Sequence, residues 1–175
     1  MDKVKPLLMA LPLLICAALV FFFSSQSYDK QSLTPFLTQH VNKTELSRLL
    51  PDVTIDYGEK HIRAKQSPFA FVEFVIRKGA HLTIYAMLAA CGHLALRPYR
   101  LSAGSVLLIV MASVLTVAAV DEWNQTFRAY RTGMYQDVIL DAAGGMIGIT
   151  VCSIGFAMKD RRGKRGRNLG KKRMG

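Results

Sequence analysis

Three groups of side chains in this chain could do chemistry. Arg77, Lys78, His81 and Tyr85 form the first, and Asp121, Glu122 and Gln125 the second. Asp137 and Asp141, preceded by Arg131, form the third. Adjacent guanidinium and ammonium groups suit an anionic, oxygen-rich ligand, and Arg can grip a phosphate through two parallel hydrogen bonds. His81 and Glu122 are the candidates for proton transfer. Asp137 and Asp141, with Glu122, are the oxygen donors that a divalent cation would use. Ser25 is the one candidate nucleophile, through a pairing with His81. No established metal or phosphatase signature accompanies these groups. The plainer reading is that Arg77 or Arg131 pairs with Asp137 or Asp141 only to brace helices. By the same logic His81 alone is a hydrogen-bonded filler and Trp123 an interfacial anchor.

Helical geometry strengthens the case for a site. At about 100° per residue, Arg77, Lys78, His81 and Tyr85 fall within roughly a quarter-turn. Asp137 and Asp141 are four residues apart and share a face, as do Asp121 and Gln125. Gly144, Gly145 and Gly148 continue the Asp137–Asp141 face, and small residues there let a second helix approach closely. Each element therefore carries one polar stripe, and the stripes should face one another.

The elements that must position them are membrane spans. The chain has 175 residues, 51% of them hydrophobic, with a net charge of +11. That combination argues against a soluble enzyme and for one small membrane domain with a basic flank. A spanning helix needs roughly 20 mostly apolar residues, and four stretches qualify, at about 6–23, 77–96, 102–120 and 134–158. The expected fold is all-α: a four-helix transmembrane bundle, with a helical extracytoplasmic segment at 24–68. Residues 1–158 form the membrane domain. The first span lacks an A-x-A-like site after it and reads as an uncleaved anchor.

Basic residues in short loops orient the bundle. Lys3 and Lys5, then Arg97 and Arg100, then the tail at 159–175 all belong on the cytoplasmic side. Both termini are thus expected inside. Nine Lys and Arg against Asp160 give the tail +8 of the total charge. Adjoining a span and lacking interleaved aromatics, it reads as a disordered orientation signal touching lipid, with no nucleic-acid partner. Cys16, Cys91 and Cys152 lie in apolar runs without metal-ligand spacing and read as packing residues without a disulfide. In the extracytoplasmic segment, Thr34 as N-cap and Pro35 as first helical residue predict a short surface helix. Ser25 and Gln26 end the first span. On this topology all four spans bring polar groups to the outer leaflet, and the apolar inner halves argue against a proton conduit.

The motifs "FFFSSQS", "RKGAHLTIYAML" and "DEWNQTFRAYRTGMYQDVILDAAGGMIG" together resemble the VanZ family. As spacing they are S-S-Q, R-K-x-x-H-x3-Y and D-E-x2-Q-x-F-x3-R-x5-D-x3-D-x2-G-x3-G, and they span nearly the whole membrane core. The resemblance implies a multi-pass protein of the bacterial cytoplasmic membrane. Its family takes its name from low-level resistance to teicoplanin, a lipid-tailed glycopeptide. It points to Ser25, Gln26, Arg77, Lys78, His81, Tyr85, Asp121, Glu122, Gln125, Arg131, Asp137 and Asp141 as site residues, with Gly144 and Gly148 as packing positions. Two functions follow as expectations. One is binding of an anionic lipid-linked envelope precursor by Arg77, Lys78 and Arg131, which would alter glycopeptide susceptibility. The other is a membrane-embedded hydrolase or transferase using His81 or Glu122. No cofactor is expected apart from the divalent metal that the second route could use.

Overall fold

A computed structural model describes residues 4–58, 60–127 and 134–173. The chain forms helices α1 (Val4–Ser24), α2 (Tyr28–Gln31), α3 (Thr34–His40) and α4 (Lys43–Leu49), then strands β1 (Thr54–Tyr57) and β2 (Lys60–Arg63). Helices α5 (Pro68–Leu96), α6 (Ala103–Thr126) and α7 (Tyr135–Arg173) follow, with a 3₁₀ turn at Arg97–Tyr99. Four stretches are long and apolar enough to cross a membrane: Leu7–Ser24, Pro68–Tyr99, Ala103–Thr126 and Tyr135–Lys159. Their outward faces carry exposed Leu7, Leu8, Phe22, Leu108, Val151 and Met158. Water would penalise that surface, whereas lipid does not. The protein is a four-helix transmembrane bundle.

Helix α5 lies at its centre and packs against α1, α6 and α7. The core joins Cys16 and Val20 of α1 to Tyr85, Leu88 and Ala89 of α5, Val110, Val114 and Ala118 of α6, and Ile149 of α7. The cysteines are free, with Cys16 Sγ 3.7 Å from Cys91 Sγ. Two glycines set the α5–α7 distance. A Cβ on Gly144 would strike the Leu82 carbonyl oxygen, and one on Gly148 the Ala86 carbonyl oxygen. Gly145 faces α6 instead, where a Cβ would come within 2.9 Å of Val114 Cγ1. Helix α7 therefore lies between α5 and α6, and against α5 it is seated through two positions that only glycine fits.

The stretch "SPFAFVEFVIRK" continues helically into the second span, as its sequence leads one to expect, while two other elements differ from the sequence expectation. Helix α5 begins at Pro68, about 13 Å before Arg77 at 1.5 Å per residue. Its 29 residues exceed what a hydrocarbon layer of about 30 Å requires. The surplus lets its first turns stand clear of the apolar layer, which puts Arg77, Lys78 and His81 near the boundary. The segment between α1 and α5 is helical only in its first part. Its second part is an antiparallel hairpin pairing Thr54 with Arg63 and Tyr57 with Lys60. Gly58 at the tip has φ +59°, the left-handed conformation that tight hairpin turns need. Finally, α7 runs on through the basic tail to Arg173, where the sequence reading expects no regular structure.

Replacing Gly148 with Leu should lower the thermal stability of the detergent-solubilised protein. The cost should reach the top of the usual overpacking range of about 1–3 kcal/mol, because the obstacle is backbone. Gly155→Leu is the control, since nothing lies within 4 Å of a Cβ there, and it should leave the melting temperature unchanged.

Candidate functional site

The close α5–α7 contact continues as a ladder of charges towards the hairpin end. Helices α5 and α7 run parallel, and Leu82 and Ala86 lie against Gly144 and Gly148. Beside Leu82 on α5, His81 faces Asp141, which lies a turn before Gly144 on α7; one turn earlier again on both helices Lys78 faces Asp137. Lys78 donates to Asp137 Oδ1, and so does the Tyr57 hydroxyl from the hairpin. The Lys78 ammonium lies 4.4 Å from the Tyr57 ring centre and 5.5 Å from that of Phe74. Aromatic faces thus share its charge with Asp137. Burial, then the bond to Asp137, pushes the Tyr57 phenol above its ordinary pKa, so it stays protonated and donates.

His81 Nδ1 is 3.3 Å from Asp141 Oδ1, in ion-pair range but misaligned for a hydrogen bond. Asp141 and Tyr85 are fully buried. Neither the Asp141 carboxylate nor the Tyr85 hydroxyl has a hydrogen-bond partner among the described residues. The His81 and Tyr85 rings are nearly parallel, with centres 6.4 Å apart.

Helix α6 closes this side. Gln125 donates to Asp121 Oδ2 at 3.0 Å and to Glu122 Oε1 at 3.3 Å. Glu122 Oε2 accepts the Met134 backbone N–H at 2.8 Å, just before α7 begins. A fifth carboxylate, Glu73, ties down the segment between α1 and α5. Its Oε2 accepts from Ser32 Oγ, the Leu33 and Thr34 backbone N–H groups and Thr34 Oγ1, at 2.6–3.1 Å. Its Oε1 accepts from Arg77 at 2.8 Å. Thr34 is therefore the first helical residue of α3 and not its cap, and Glu73 caps that helix from across the fold.

Two cavities flank Arg77 and His81. The first, of about 350 Å³, lies under the hairpin, and its lining includes Arg77, Lys78, His81, Gln125 and Asp137. The hairpin adds Tyr57, Lys60 and His61 to its walls, so three Lys and Arg face two carboxylates, Glu73 and Asp137. The second, of about 450 Å³, is mainly apolar and includes Gln26, Arg77, His81, Tyr85 and Asp121.

The sequence-predicted residues thus divide by position. Arg77, Lys78, His81, Gln125 and Asp137 meet around the first cavity, Gln26, Tyr85 and Asp121 line the second, and Asp141 backs His81. Glu122 lines neither cavity and braces the start of α7. Ser25 lines neither and donates to the Phe22 carbonyl at 2.9 Å, while its neighbour Ser24 lines the second cavity. Arg131 lies outside the described residues. Among the described residues, no three His, Cys, Asp or Glu side chains are arranged to hold a metal ion.

Sequence reasoning missed Tyr57, Lys60, His61 and Glu73. Only Glu73 left a local signal, its i, i+4 spacing to Arg77.

A family model described as VanZ/LLP1 matches residues 9–156, which takes in the hairpin and nearly all of the four spans. No curated protein and no solved structure matches the chain.

Glu73→Ala should release α3 from α5. Loss of a buried charge partner and a helix cap together typically costs about 3 kcal/mol. Hydrogen exchange at residues 33–40 should accelerate accordingly, with the bundle core still protected. Glu73→Gln, which keeps an acceptor, should give a smaller increase.

Proposed function

The chain belongs to the VanZ/LLP1 family, and on that premise we propose that it binds the phosphate of an anionic, lipid-linked envelope precursor. The hairpin end then faces the outside of the bacterial cytoplasmic membrane, and both termini face the cytoplasm. The lining of the first cavity carries this reading: Lys60, Arg77 and Lys78 converge there against Glu73 and Asp137. Arg77 is already oriented by Glu73, and Lys78 by Asp137. A phosphate entering between them would meet positioned donors, which lowers the ordering cost of binding. Holding such a precursor would change how a glycopeptide reaches it, and so alter susceptibility to teicoplanin.

The second reading is a membrane-embedded hydrolase or transferase acting on a phosphate-containing envelope lipid. One observation favours it. Asp141 sits beside His81 Nδ1, while His81 lines both cavities. A carboxylate close to one ring nitrogen favours the proton there electrostatically, which leaves the other nitrogen to take a proton from an attacking hydroxyl. Glu122, with both oxygens bonded to Gln125 and Met134, suits that role less well. Asp137 is bonded to Lys78 and Tyr57, so a metal there would have to displace an ammonium.

Expression of the full chain in a sensitive Gram-positive host should raise the inhibitory concentration of teicoplanin more than that of vancomycin. An expression-matched Asp137→Asn variant, which leaves Lys78 without its charged partner, should lose that protection. Unchanged susceptibility with well-expressed wild type would remove the envelope role. His81→Asn separates the two readings: lipid binding should persist, whereas an enzyme would lose roughly 10²–10⁴-fold in rate.

A further inference from the structure

The two cavities meet at one wall. Glu73, Arg77 and His81 line both, so the same guanidinium and imidazole border a polar space on one side and an apolar space on the other. The apolar space is built from Val20 and Phe23 of α1, Leu33 of the linking segment, and Ile76, Ala80 and Ile84 of α5. All but Leu33 belong to membrane spans. Phe23 is 52% exposed and Ile76 49%. The chamber therefore reaches the surface that the bundle presents to lipid.

This arrangement solves a problem of access. Arg77 lies about 13 Å along α5 from Pro68, at the edge of the apolar layer, and it lines a cavity walled by the hairpin. A headgroup still joined to a hydrocarbon chain can reach that depth in two ways. Its chain must cross polar surroundings, at the cost of exposing apolar area, or it must follow an apolar opening at the same level. The second cavity is such an opening, on the lipid-facing side of the wall that carries the phosphate donors. A chain moving there from a bilayer leaves one apolar medium for another, so little affinity comes from the transfer itself. The chamber decides whether a chain-bearing phosphate can enter, and which chains fit.

From this we infer that the cavity lined by Val20, Phe23, Ile76, Ala80 and Ile84 is a lateral portal for the hydrocarbon chain of a phosphate-headed lipid. The headgroup of that lipid occupies the polar cavity beyond Arg77. This inference rests on the phosphate-binding reading above.

The test uses the full chain in phosphatidylcholine nanodiscs and reads the melting temperature, which rises when a ligand binds only the folded state. Two probes separate the sources of phosphate: inorganic phosphate in solution and dioleoyl phosphatidate in the disc. Both should raise the wild-type melting temperature, and Arg77→Gln should abolish both rises. Ala80→Trp and Ile76→Trp fill the chamber from exposed positions. Each should keep the shift with inorganic phosphate and lose that with phosphatidate. The phosphatidate affinity should fall on the order of tenfold or more, the usual penalty for forcing bulk into filled space. Ile147→Trp, elsewhere on the lipid-facing surface, should retain both. If the filled variants keep both shifts, or phosphatidate never shifts the wild type while phosphate does, the portal is wrong and phosphate binding stands. If neither probe shifts the wild type, or Arg77→Gln changes neither response, both ideas fall together.

Discussion

The structure depends on the close passage of α7 along α5 at Gly144 and Gly148. Hydrophobic burial does not drive helices together in lipid, because the surrounding chains are as apolar as the side chains. Association must come from dispersion between closely fitted surfaces and from polar pairs with no better partner. The two glycines supply the fit by removing the atoms that would keep the backbones apart. The polar pairs then follow from geometry. Parallel helices in contact at Leu82–Gly144 and Ala86–Gly148 bring His81 to Asp141 on the hairpin side of that contact, and Lys78 to Asp137 one turn further. Moving α7 outward by even one methyl group would stretch every rung.

The pairs also explain how so many charges coexist near an apolar layer. A lone buried charge is expensive, and a pair is tolerable only when its remaining hydrogen-bonding capacity is used. Asp137 receives both an ammonium and a phenol, and Glu73 receives a guanidinium on one oxygen and four donors on the other. These interactions cross elements. The hairpin is held to α7 through Tyr57, α3 to α5 through Glu73, and the start of α7 to α6 through Glu122 and Met134. Electrostatic bracing, rather than a larger apolar core, closes the hairpin end of the bundle.

This division explains what could be read from the sequence. Ionisable residues in a span must find partners, so Lys78, His81, Asp137 and Asp141 announced that they would meet. Helical periodicity placed them on facing stripes, and Gly144 and Gly148 announced the contact beneath. The hairpin followed different rules. Its strands are four residues each and largely polar, with only Gly58 to mark the turn. Tyr57 reaches a partner 80 residues away, which no local pattern encodes. Glu73 had a visible partner in Arg77, but its other ligands come from a loop about 40 positions earlier. Ser25 lies one residue past Ser24, about 100° around the helix axis, so Ser24 lines the second cavity while Ser25 donates to the Phe22 carbonyl. The match to the VanZ/LLP1 family covers the segment that carries the hairpin, although the motifs visible by eye stop short of it.

What distinguishes the interior of the site from bracing is the pair left incomplete. Asp137 takes two donors and Glu73 takes five, while Asp141, fully buried, has no well-aligned donor among the described residues, His81 Nδ1 lying 3.3 Å away. Tyr85, equally buried, leaves its hydroxyl without a partner among the described residues. A structure built only for stability would gain by replacing such groups with apolar ones of similar shape. Their retention makes sense if a ligand, or a proton moving between His81 and Asp141, completes the set. The well-bonded pairs brace the frame, and the less-bonded pair, one turn deeper on the same two helices, keeps hydrogen-bonding capacity that a ligand would use.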